Sequence, residues 1–150
     1  MSERRAVHDS FTIERVFDAS PQRLFAAFAT IEGKSRWFVG PPGWTLVERQ
    51  FDFRVGGLER AVGRFENGGL SVFDAVYHDI VPDQRIVYSY RMAKTDTPIS
   101  VSLATLQIAP EGAMARLIMT EQGVFLDDFI DGGGREQGTK FLLDQLAATL

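Results

Sequence analysis

The chain has 150 residues, 45% hydrophobic and 24% charged, with no cysteine and a formal net charge of -4 at pH 7. That length fits one ordinary domain with a real core, and the missing thiols exclude disulfides, thiol catalysis and cysteine metal sites. The acidic balance argues against a nucleic-acid binder, because no basic excess is available to neutralise phosphates and the densest basic pair, Arg4-Arg5, lies in a short N-terminal stretch.

In chain order, residues 1–8 are expected to form an N-terminal tail and residues 9–150 a single domain. The tail has a basic start and no apolar stretch of the kind a secretory signal carries. No apolar run approaches the roughly 20 residues of a membrane span. A cytoplasmic protein is the resulting expectation. Ser10 to Phe17 predicts a strand, with Phe11, Ile13 and Phe17 on one parity and Thr12, Glu14 and Val16 on the other. Ser20 suits an N-cap and Pro21 the first helical position, where a missing N–H costs nothing. Leu24, Phe25, Phe28 and Ile31 follow at helical spacing. Gly33 predicts an interruption and a short second helix over Lys34 to Phe38, which Gly40-Pro41-Pro42-Gly43 ends.

From Trp44 to Gln122 the pattern is β throughout. Candidate strands are Trp44 to Gln50, Phe53 to Val55, Arg60 to Glu66, Leu70 to Val81, Arg85 to Met92, Ser100 to Ile108 and Ala115 to Gln122. Turn residues separate them, with Asn67-Gly68 and Glu111-Gly112 resembling hairpin turns. Gly123 to Gly134 predicts a loop. Arg135 to Leu150 predicts the last helix, whose stripe of Leu142, Leu143, Leu146 and Leu150 includes Thr139 and leaves Phe141 on the other side.

Strands grouped between helices indicate an α+β fold. The expected form is a curved antiparallel sheet of six or seven strands wrapped around a long C-terminal helix, with two short helices after the first strand. One helix cannot fill the concavity of such a sheet, so a pocket is expected between them. The chain has 12 Phe against 3 Tyr and 2 Trp. Phe has no polar handle, so it packs or lines something apolar.

The stretch FTIERVFDASPQRLFAAFATIEGKSRWFVGP resembles the opening of the helix-grip (START-like, SRPBCC) superfamily, which includes lipid-transfer domains, plant pollen allergens and bacterial polyketide cyclases. More narrowly, the chain is similar to the bacterial family named for homologues of the activator of the 90-kDa heat-shock chaperone ATPase, the AHSA-like family. The motifs are the Pro-started helix, Arg36-Trp37-Phe38, the stretch YHDIVPDQRIVYSY and Thr120-Glu121-Gln122-Gly123. The resemblance runs from about Asp9 to Leu150. It departs at Gly138-Thr139, where the family commonly has Gly-Trp, and this implies volume near the helix start that is free or refilled.

Family position and strand parity together suggest a lining of Trp37, Phe38, Phe53, Phe65, Tyr88, Tyr90, Leu103, Glu121, Phe125, Phe129, Thr139, Leu142 and Leu146. Glu121 is the sharpest polar candidate, because it shares parity with Leu117 and Met119. If desolvated, its carboxyl titrates high and could serve as an acid, a base or a hold for a ligand's polar head; otherwise it turns to water or pairs with an arginine. His78 alternates with Asp79 and has no third ligand at metal spacing, so no metal is expected. Asp127, Asp128 and Asp131 do not make a calcium loop, since Phe129 stands where an oxygen ligand is needed. Gly132-Gly133-Gly134 lacks the pattern of a phosphate cradle, and no Gly-x-Ser-x-Gly elbow occurs.

These features predict binding of an apolar or aromatic small molecule, lipid-like or polyketide-like, with Phe125 and Phe129 gating the cavity and no cofactor. A cyclase, aromatase or hydrolase using the same cavity is the alternative, with Glu121, Tyr88 and Tyr90 as its polar groups. The resemblance also admits a chaperone-activating interaction module. A homodimer is compatible with all three.

Overall fold

Alternating apolar residues build the sheet. A computed structural model describes residues 4–150. In chain order the elements are β1 (Ala6–Phe17), α1 (Pro21–Ala29), α2 (Ile31–Trp37), β2 (Thr45–Phe51), β3 (Leu58–Arg64), β4 (Leu70–Val81), β5 (Arg85–Lys94), β6 (Thr97–Glu111), β7 (Met114–Leu126) and α3 (Gly134–Thr149). The strands form one seven-stranded antiparallel sheet in the order β1-β7-β6-β5-β4-β3-β2. Every neighbour but one is consecutive in sequence, so short turns close the meander. The expected α+β architecture with α3 gripped by the sheet is present.

The local signals explain the helices. Ser20 Oγ accepts from the Arg23 N–H at 3.1 Å and Pro21 opens α1. Gly33 does not interrupt the second helix. It lies inside α2, whose cap is Thr30, with Thr30 Oγ1 accepting from the Gly33 N–H at 3.0 Å. A Cβ on Gly33 would come within 2.8 Å of the Ala26 carbonyl oxygen and 2.9 Å of the Ala27 Cα, so glycine lets the start of α2 fold back on α1.

Several strands outrun their sequence signals. Ala6, Val7 and His8, expected in the tail, pair with Leu126, Phe125 and Val124. Met1 to Glu3 of that stretch lie outside the described residues. Gly123 to Leu126, expected in a loop, continue β7 between β1 and β6. Phe53 to Val55 are not a strand. The physical reason is pairing: β7 has a partner strand on each side and β1 has one, and a paired residue is held extended whatever its own propensity.

The core lies where α1, α2 and α3 cover the concave face. Ile13 and Phe17 of β1, Leu24 and Phe28 of α1, Leu106 of β6, Leu117 of β7 and Leu143 and Leu146 of α3 are buried there. Phe141 points away and is 39% exposed, as its side of the helix predicts.

Candidate functional site

The concave face carries a connected set of aromatic rings. From Phe53 the path runs to Tyr77 (4.9 Å between centroids), Tyr88 (5.8 Å), Tyr90 (6.0 Å), Phe73 (4.9 Å), Phe38 (5.0 Å) and Trp37 (5.7 Å). Period-two alternation aims Phe73 and Tyr77 of β4 and Tyr88 and Tyr90 of β5 to one face. Two polar centres are set into this surface, one below the start of α3 and one below α2.

In the first centre, β7 presents Glu121, β5 presents Tyr90, β6 presents Ser100 and Ser102, and the first turn of α3 sends down Arg135. The Tyr90 hydroxyl donates to Glu121 Oε1. Arg135 Nη1 donates to the Tyr90 oxygen at 3.0 Å and to Ser102 Oγ at 3.3 Å, and Nη2 donates to Ser100 Oγ at 2.7 Å. The guanidinium lies 5.5 Å from the Tyr90 ring centroid and 5.2 Å from that of Phe125, close enough for cation–π attraction. Glu121 is 2% exposed, and its Oε2 is buried without a hydrogen-bond partner. Burial pushes its carboxyl above the ordinary carboxylate range, against the pull of Tyr90 and Arg135. Burial and the neighbouring carboxylate also raise the Tyr90 phenol. A cavity of about 10 Å³ adjoins Glu121, lined by Phe11, Ser102, Phe125, Asp131 and Arg135 among others, which is room for about one water molecule.

In the second centre, Lys34 of α2 meets Glu59 of β3. Lys34 Nζ donates to Glu59 Oε1 at 2.6 Å, and the Tyr77 hydroxyl donates to the same oxygen at 2.5 Å. The ammonium is ringed by Phe38 at 4.7 Å, Phe51 at 5.6 Å, Tyr88 at 5.9 Å and Phe73 at 6.0 Å. Burial lowers the Lys34 ammonium from its ordinary value even though Glu59 opposes this. Arg49 of β2 donates from Nη2 to the Phe38 carbonyl at 2.8 Å. Its Nε and Nη1, and Glu59 Oε2, are buried with no partner among the described residues. A buried pair of this kind adds little net stability, yet removing one member strands the other's charge.

Of the residues expected to line the site, Tyr90, Glu121, Phe125 and Thr139 are buried, and Tyr88, Phe38 and Phe53 are half-buried. Phe129 stacks on Phe125 with centroids 5.9 Å apart, at the rim. Leu142 is partly buried against the core. Trp37 and Leu146 are sealed inside it, Trp37 by donating its indole N–H to the Ala27 carbonyl at 2.9 Å. Phe65 and Leu103 are corrections. Phe65 lies in the turn after β3 and is 37% exposed, while Leu103 is 39% exposed because its parity on β6 is opposite to that of Ser102 and Ala104. Near the helix start, Thr139 is buried and its hydroxyl donates to the Arg135 carbonyl at 2.8 Å.

Arg135, Lys34, Arg49, Glu59, Tyr77, Ser100 and Ser102 escaped the sequence reading. Some signal existed. Tyr77 shares parity with Phe73, and Lys34 stands three and four residues before Trp37 and Phe38, which puts it on their helix face. Glu59 fell outside the predicted strand, which began two residues late. Nothing in the sequence paired Arg135 with β5 and β6. Among the described residues no cluster could hold a metal ion, and no helix is long and apolar enough to cross a membrane.

The geometry has close counterparts among solved structures. The Mll3558 protein of Rhizobium loti is 47% identical, with a TM-score of 0.90 over 97% of this chain and 99% of that one. A protein of Rhizobium leguminosarum is 40% identical, with a TM-score of 0.94 over 98% of this chain and 97% of that one. The AHSA1 protein of Silicibacter pomeroyi, at 21% identity and a TM-score of 0.73 over 94% and 96% of the two chains, shares the fold. The comparison with curated proteins finds no match. The profile of one family, described as Activator of Hsp90 ATPase homolog 1-like protein, matches residues 18–150, and this chain belongs to that family.

Proposed function

We propose that the protein binds an apolar or aromatic small molecule between the concave face of the sheet and α3. The observation that supports this is Tyr88. It sits on β5 in the middle of the sheet, paired across to Tyr77 and Ala104, and is only half-buried. A ring so placed is accessible only where helix and sheet do not close on each other. Ligand sites of this kind are concave, mostly apolar and furnished with a few convergent polar groups. Phe125 and Phe129 stack on each other, and the segment after them carries Gly132 and Gly133, both at positive φ.

The test is a titration with N-phenyl-1-naphthylamine, a neutral fluorescent probe. Saturable one-to-one binding with a blue-shifted emission is expected, and freshly purified protein in native mass spectrometry should show a co-purified small molecule displaced by the probe. Absence of any saturable binding would refute the reading.

A second reading, chemistry in the same space, has one observation in its favour. Glu121 is buried, its carboxyl is raised, and it adjoins a water-sized cavity. A carboxyl so placed can give or take a proton. The partner role named by the family description rests on that description alone.

A further inference from the structure

The two polar centres differ in what they leave unmet. Arg135 spends its guanidinium on Tyr90, Ser100 and Ser102. Arg49 does not. One of its nitrogens donates to the Phe38 carbonyl, and Nε and Nη1 are buried with no acceptor. Buried donors on a cation are costly to leave unpaired, so a site that keeps them is built for an acceptor that arrives later. The charges agree. Within this centre two cations, Lys34 and Arg49, face one carboxylate, Glu59, whose Oε1 is already shared by Lys34 and Tyr77. One negative charge is missing. Around it stand rings rather than aliphatic side chains, with Phe38 between the two cations, 4.7 Å from Lys34 Nζ and 5.8 Å from the Arg49 guanidinium carbon.

Resting on the small-molecule reading above, we propose that the ligand is an aromatic carboxylic acid, its carboxylate held by Arg49 beside Lys34 and its ring laid against Phe38, Phe73 and Tyr88. A carboxylate gives Arg49 the charged acceptor it lacks, and such charge-assisted bonds are about twice as strong as neutral ones. It also opposes the burial that lowers the Lys34 ammonium. The ring meets aromatic faces and edges at ordinary stacking distances. Glu59 is the discriminator: its Oε2 is buried with no partner, so it disfavours ligands bearing a second anionic group nearby.

The test compares 2-naphthoate with its neutral isostere 2-naphthamide by calorimetric titration into the full chain. The acid is expected to bind at least tenfold more tightly, and Arg49→Gln should reduce that preference to threefold or less. Equal affinities in the wild type overturn the proposal and leave the small-molecule reading standing. An unaltered preference in a folded Arg49→Gln overturns the placement at Arg49. If neither compound binds, and the neutral naphthylamine probe also fails, both readings fall together. Should Arg49→Gln not fold, intermolecular nuclear Overhauser effects in the wild type decide: contacts from naphthoate to Phe38 and Tyr88 support the site, whereas contacts only to Phe125 and Phe129 overturn it.

Discussion

Glu121 shows how one residue couples the fold to a function. Its parity on β7 forces it inward, burial raises its carboxyl, and Tyr90 and Arg135 hold it there. A carboxyl whose folded value is raised binds its proton more tightly in the native than in the unfolded chain. Its contribution to stability is therefore full below the ordinary value of 4.5 and is lost as pH rises through the higher folded value. Glu121→Gln keeps an acceptor for Tyr90 and removes the titration. The Tm of that variant minus that of the wild type should grow more positive from pH 4 towards neutrality, measured by thermal melts across pH. A difference that is flat or falls with pH would show that the residue is not held in the way described. Parity alone made Glu121 legible in the sequence. Leu103 lies on the outer face, since its parity on β6 is opposite to that of Ser102 and Ala104.

At the scale of elements, α3 was legible in its stripe and illegible in its first turn. Leu143 and Leu146 are sealed in the core as the spacing requires. What fills the space beneath the N-terminal turn could not be read, because it depends on Arg135 bending down to β5 and β6 rather than out to water. Thr139, one turn later, is 8% exposed and returns its hydroxyl to the Arg135 carbonyl at 2.8 Å. Thr139→Trp inserts an indole at a position that is already buried. Overpacking of this sort costs about 1–3 kcal/mol. The variant should lose that much stability in urea denaturation, and its affinity for N-phenyl-1-naphthylamine should fall at least fivefold. Unchanged affinity would mean that the ligand space does not reach the helix start. The strand ends β1 and β7 were underestimated for a related reason: Gly123 and the residues around it carry weak strand signals of their own, and pairing with the neighbouring strands makes up the difference.

For the whole molecule, the strand order puts β5, β6 and β7 inside the sheet under the helices and leaves β1 and β2 as its edges. Amide protection should follow. In hydrogen exchange, β5 to β7 are expected to open only with global unfolding, while β2 and residues 127–133 exchange on the order of 100-fold faster or more. Equally slow exchange throughout would mean that no part of the rim opens on its own, and that a ligand could enter only through global unfolding.

The sequence by itself determined the α+β class, the meander, the caps of the first helix and the inward face of most strands, because periodicity and turn chemistry are local and each residue reports its own share. Only the tertiary structure decided which buried charges meet. Lys34 and Glu59 are 25 residues apart, Arg135 and Tyr90 are 45 apart, and no local rule links them. Their meeting depends on the curvature of the sheet and on where α2 and α3 rest upon it, and these are set by packing summed over the whole core.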